Sequence, residues 1–228
     1  MGGWVPLGMA IAHPSTGLER QYVGAGPVVG IDEVGRGALA GPLYVGAVVF
    51  DEYRTPPEGL ADSKTLSPAR REALDGPIRD WAQAAAVGAV SAKEIDSWGL
   101  RVALAVAADR SLVALGVRPV HALIDGNLNL LDPPSTLGLG SPLPPLLFAG
   151  LAVTTVVRGD ASCATIAAAS IIAKVARDRV MGQLALQCAL YGWERNMGYG
   201  TPEHLEALRL HGASTFHRQS WKLPLREQ

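Results

Sequence analysis

The chain has few of the residues that fasten a small fold from outside. Its 228 residues include only two cysteines, Cys163 and Cys188, so no disulfide framework is available. If one helix spans the interval between them, the thiols stand about 37 Å apart. Such cysteine usage fits a reducing compartment, and a cytoplasmic protein is expected. Charge of either sign is not in excess: the net is −1, which excludes a general nucleic-acid coat protein and a polybasic membrane binder. Long apolar runs are missing as well. The stretch between Pro6 and Pro14 has no Lys or Arg before it and is too short to cross a bilayer, so residues 1–24 are expected to be a loosely held leader and no membrane partner is expected. His13, His121, His204, His211 and His217 show no zinc-ligand spacing. "GAGPVVG" lacks the G-x-G-x-x-G spacing of a dinucleotide fingerprint and precedes a strand, not a helix.

What is present is a core: 48% of the residues are hydrophobic, enough for one large domain. The charge is uneven along the chain. From Arg158 onward nine Lys/Arg face six Asp/Glu, which makes the C-terminal third the likelier face for an anionic partner.

"GPVVGIDEV" and "LYVGAVVF" read as neighbouring antiparallel strands joined by the Gly-rich "GRGALAGP". "AAAVGAV" at 84–90, "VHALID" and "LAVTTVV" supply three more strands. Ser67 and Pro68 open a helix that Gly76-Pro77 is expected to break or restart. "GLRVALAVAADRSLVALGV" is a helix ending at Gly116, Ala161 to about Leu190 is a long Ala-rich helix, and Thr201-Pro202 starts a short one ending before Gly212. Strands first, then strands alternating with helices, predict a mixed sheet with helices on its faces. The proline-rich 130–150 stretch reads as a long connection between two strands.

Three strand ends present acids: Asp32 with Glu33, Asp125 before Gly126, and Asp160 after "TTVVRG". Singly, Asp125-Gly126 is a turn dipeptide and Asp160 a helix-approach cap. A carboxylate pair ending an apolar run is harder to explain, because burying an ionised carboxylate costs several kcal/mol unless a cation or donors compensate it. If the strand ends converge, four carboxylates share one place and need a counter-charge. Oxygen ligands without His or Cys select Mg²⁺ or Mn²⁺. Two such ions activate a water and stabilise a departing oxygen in phosphodiester cleavage. Successive strand residues point to opposite faces, so the strand is expected to end, bulge or twist at Asp32-Glu33, with Gly35 and Gly37 making the distortion easy.

With these residues in view, the chain resembles the type 2 ribonuclease H family, ribonuclease HII. The matching stretches run in order from residue 30 to residue 221: "GIDEVGRGALAGP", "ADSKTLSPARREAL", "LIDGN", "GDASCATIAAASIIAKVARDRVM", "GYGTPEH" and "HRQSW". The resemblance implies an α/β, ribonuclease H-like mixed sheet flanked by helices over residues 25–190, and a C-terminal helical extension over 191–228. It implies a monomeric endoribonuclease acting on RNA/DNA hybrids and on DNA duplexes containing ribonucleotides, leaving 3′-hydroxyl and 5′-phosphate ends. Asp32, Glu33, Asp125 and Asp160 would be its catalytic, metal-binding acids. Gly35, Arg36 and Gly37 would read the 2′-hydroxyl at the RNA–DNA junction, Tyr199 would pack on the sugar beyond it, and Lys64 and Arg158 would meet phosphates.

Met197 stands where the family usually has lysine, and Trp221 where it usually has phenylalanine. Two other readings are compatible with the acids: a related two-metal nuclease with a different nucleic-acid substrate, and a non-catalytic hybrid-binding module.

Overall fold

The computed structural model describes residues 14–132 and 144–224. Five strands form one sheet: β1 Val28–Val34, β2 Leu43–Val49, β3 Ala84–Val90, β4 His121–Asp125 and β5 Ala152–Val156. The helices are α1 Pro68–Trp81, α2 Ala92–Trp98, α3 Leu100–Ala114, α4 Gly159–Ser162, α5 Ala164–Gln187, α6 Trp193–Asn196 and α7 Pro202–His211. The strand order is β3-β2-β1-β4-β5. β2 is antiparallel to β1 and β3, while β1, β4 and β5 run parallel, so the sheet is mixed, as the strand pattern predicts.

The sheet is covered on both faces, which is why its strands are apolar throughout. α3 packs on one face with Val29, Ile31, Val45 and Ala47. α5 and α1 cover the other, with Val48, Phe50, Ile171 and Ile172 between them. Two glycines set how closely these helices approach. A Cβ at Gly46 would lie 2.2 Å from the Ala169 carbonyl oxygen of α5, and one at Gly88 would lie 2.1 Å from the Ala107 oxygen of α3. Any side chain there would push the helix off the sheet.

Two local expectations are corrected, and one helix comes in addition. α1 runs unbroken through Gly76 and Pro77, because Leu74, Ile78 and Trp81 recur at helical spacing and are buried while Pro77 faces solvent. The long helix does not start at Ala161: α4 ends at Ser162, Cys163 is extended, and α5 begins at Ala164. α2 is an additional helix, opened by a capping box in which Ser91 and Glu94 bond each other's backbone N–H.

The segment read as a loose leader is anchored from Pro14 onward; residues 1–13 lie outside the described residues. Ser15 bridges to Cys163 in parallel fashion. Glu19 is fully buried, and its Oε1 accepts from the Thr165 N–H at 2.8 Å, Thr165 Oγ1 at 3.0 Å and Cys163 Sγ at 3.1 Å. A distant carboxylate thus caps α5, whose own cap residue Cys163 bonds none of the free N–H groups. Most of the proline-rich link, residues 133–143, also lies outside the described residues.

Beyond α5 the chain packs back on the helix end through Met181, Ala185, Tyr191, Trp193 and Leu208. At the centre of that contact, His204 Nε2 and His217 Nε2 lie 3.0 Å apart. No helix among the described residues is long and apolar enough to cross a membrane.

Candidate metal centre and nucleic-acid interface

β1 and β4 are parallel and in register up to Ile31 opposite Ile124. The next residue on each strand is an aspartate, Asp32 and Asp125, so both side chains leave the same face at the same level. Asp160 arrives from the first turn of α4, directly after β5. One carboxylate oxygen from each of Asp32, Asp125 and Asp160 lies within 4.8 Å of the others.

The expectation that β1 must distort at its acid pair is not met. Asp32, Glu33 and Val34 pair regularly with Gly46, Val45 and Tyr44. Alternation therefore separates the two acids: Asp32 joins the trio and Glu33 does not. Glu33 instead approaches Arg36 Nη1 at 3.4 Å, and its charge is still felt by Asp32.

The electrostatics are those of crowded acids. Burial, then the charges of Glu33 and Asp125, holds the Asp32 carboxyl well above the usual carboxylate range. Burial, then the charge of Asp160, raises Asp125, although Asp125 Oδ1 accepts N–H bonds from Gly159 at 2.8 Å and Asp160 at 3.4 Å. Burial raises Glu33 too, with Arg36 opposing it. Lys64 Nζ donates to Asp160 Oδ2 at 2.6 Å and lies 3.9 Å from Asp62 Oδ1. Burial would lower the lysine's pKa, but the bond and charge of Asp160 outweigh it, and the ammonium is strengthened. An all-carboxylate donor set with a deficit of positive charge is what Mg²⁺ or Mn²⁺ would complete.

The Gly-rich link between β1 and β2 lies beside this centre. Gly35 has φ +85°, and a Cβ on it would fall 2.2 Å from Arg177 Nε, whereas nothing lies within 4 Å of one on Gly37. The first glycine is therefore needed for packing, and the second faces open space. Arg36 is exposed. The Leu39 N–H donates to the Gly198 carbonyl at 2.8 Å, which ties the link to the turn carrying Tyr199. That ring is 37% exposed and sits under the Arg177 guanidinium, 5.4 Å from its centroid. Arg158 is exposed at the left-handed residue before α4. Met197 is also left-handed, with φ 51°.

Sequence reasoning missed Arg177 and Arg218. Both are fully buried and both donate to carbonyls of the link. They stand inside the quoted stretches "AKVARDRV" and "HRQSW", but nothing in residue type marks an arginine as buried.

The family model for ribonuclease HII matches residues 29–224. The chain belongs to the ribonuclease HII family. It is accordingly an endoribonuclease, with the ribonuclease H-like fold. A ribonuclease HII of Streptomyces avermitilis is 44% identical over 202 residues, covering 89% of this chain and 79% of that one. Among solved structures, the ribonuclease H2 of Pyrococcus horikoshii OT3 superposes with TM-score 0.65 at 27% identity, covering 87% of this chain and 95% of that one. The RNase HII of Archaeoglobus fulgidus, solved in a complex with PCNA, gives 0.65 at 30%, covering 88% and 96%.

Proposed function

We propose that this chain hydrolyses the RNA strand of RNA/DNA hybrids and cuts on the 5′ side of ribonucleotides embedded in duplex DNA, leaving 3′-hydroxyl and 5′-phosphate ends. It would act as a cytoplasmic monomer, with residues 25–190 as the catalytic domain and 191–228 as an extension that contributes to substrate binding. The observation that carries this reading is the meeting of Asp32, Asp125 and Asp160 within 4.8 Å, next to a link whose Gly37 faces open space.

Asp32, Asp125 and Asp160 would hold Mg²⁺ or Mn²⁺, with Glu33 as the fourth acid at the rim. When bound, divalent ions there supply Lewis acidity toward the attacking water and the departing 3′ oxygen. The carboxylates fix the site's geometry in advance, so little ordering is left for the moment of reaction. Lys64, freed from Asp160 once other cations neutralise it, would turn to a phosphate, as would the exposed Arg36 and Arg158. Gly35, Arg36 and Gly37 would present backbone groups to the 2′-hydroxyl, and Tyr199 would pack its half-exposed ring on the adjacent sugar.

The test is a duplex with one ribonucleotide beside its all-DNA copy, each with and without Mg²⁺ or Mn²⁺. Cutting of the first alone, and only with metal, is expected. Equal cutting of both would indicate a different nuclease, and metal-independent binding without cutting would indicate a binding module.

A further inference from the structure

Two arginines lie fully buried beneath the Gly-rich link, and among the described residues neither has a carboxylate oxygen within 4.0 Å. Their partners are main-chain carbonyls. Arg218 Nη2 donates to the Gly35 oxygen at 2.6 Å and the Gly41 oxygen at 3.4 Å, and its Nη1 donates to the Arg36 oxygen at 2.8 Å. From α5, Arg177 Nε donates to Pro42 at 2.9 Å, Nη2 to Ala40 at 3.3 Å, and Nη1 to Met197 at 2.9 Å. Arg177 also stacks over the Tyr199 ring and Arg218 over the Trp221 ring, but buried guanidinium groups without a carboxylate partner are costly. Their arrangement calls for a physical reason.

The planar trans peptide supplies it. The carbonyl of one residue and the N–H of the next point in opposite directions. Pinning the Gly35 and Arg36 carbonyls inward on Arg218 therefore turns the N–H groups of Arg36 and Gly37 outward. Among the described residues those two amides donate to no protein acceptor, while the N–H groups of Ala38, Leu39, Ala40 and Gly41 are all bonded. Both free amides belong to exposed residues. Behind them stands a buried positive charge with no carboxylate in direct contact, and in front of Gly37 there is open space. Two adjacent outward donors backed by a buried cation form a receptor for an oxygen acceptor.

We propose that Arg218 is a positioning residue: its two-pronged hold on consecutive carbonyls presents the Arg36 and Gly37 amides as a donor pair to a substrate oxygen, with Arg177 locking the link to the Tyr199 turn. This rests on the reading of residues 35–37 as substrate-binding and explains how they are built. Lysine keeps the charge but has no planar fork, so it cannot reproduce the fixed geometry in which two separate Nη groups meet the two carbonyls.

The test is Arg218→Lys on the single-ribonucleotide duplex in Mn²⁺. KM is expected to rise about tenfold, the scale of one ordinary hydrogen bond lost to an uncharged oxygen. The value of kcat should stay within about threefold, and the Mn²⁺ dissociation constant should not move. A merely structural role would lower the melting temperature and leave KM as it was, and that result would overturn the proposal. Hydrogen exchange on the wild-type chain decides the matter if the variant fails to fold, or if the wild type leaves the duplex uncut, an outcome that would refute the substrate reading itself. Amides 38–41 should exchange slowly although they lie in a loop, and amides 36 and 37 quickly. The reverse pattern would overturn the proposed hold.

Discussion

Lys64 Nζ stands 2.6 Å from Asp160 Oδ2. One ammonium cannot neutralise three carboxylates, and Asp32, buried beside Glu33 and Asp125, remains the most strained of them, its carboxyl held well above the usual range. A carboxyl whose folded pKa is raised binds its proton more readily in the folded chain. Stability is therefore lost as pH rises from the unfolded value of about 3.9 through the folded one.

Asp32→Asn keeps the shape and removes that charge. In a metal chelator at pH 7 the melting temperature is expected to rise by a few degrees, corresponding to about 1 kcal/mol in a chain of this size. Mg²⁺ should raise the melting temperature of the wild type more than that of the variant. A lower melting temperature for the variant in chelator would contradict the reading.

How much of this was legible in the sequence depends on what each residue's neighbours contribute. The acids at three strand ends mark the centre because strand ends sit where loops build sites. Which acid of the Asp32-Glu33 pair points inward follows only from the unbroken register with β2. The distortion of the strand expected at that pair is absent because regular alternation sends Glu33 away from the trio, toward Arg36. Pro77 signals a break that burial of its helical neighbours overrides, and the break that does occur, at Cys163, carries no Gly or Pro to announce it. The anchoring by Glu19 and the buried pair Arg177 and Arg218 are long-range contacts, invisible to local pattern.

His217 Nδ1 accepts from the Ser214 N–H at 2.9 Å, and its Nε2 faces His204. Burial, then the proximity of His204, pushes its pKa down to about 4. A base with a depressed folded pKa favours folding above its unfolded value of about 6.5, and this contribution is lost as pH falls from there toward 4. The stability gap between wild type and His217→Asn, measured by urea unfolding, should therefore shrink across that window by up to about 1.4 kcal/mol per pH unit. A constant gap would contradict the burial of a neutral imidazole.

Glu19→Ala removes the remote cap of α5 and leaves the Thr165 N–H and hydroxyl without their acceptor. A loss of about 2 kcal/mol in unfolding free energy is expected. An unchanged urea midpoint would show that the segment from Pro14 onward is not held as described.

Tyr199→Ala should slow cleavage at a single embedded ribonucleotide about tenfold or more, while the melting temperature moves little, because the ring is partly exposed and stacking on one base or sugar is worth about 1–3 kcal/mol. Equal rates on that substrate would remove Tyr199 from the interface.

The most direct measurement is anomalous diffraction from crystals soaked in Mn²⁺. The expected result is a peak about 2.0–2.2 Å from oxygens of Asp32, Asp125 and Asp160, lost in Asp125→Asn. Saturating Mn²⁺ that leaves these three carboxylates bare, or settles elsewhere, would contradict the assignment of the centre.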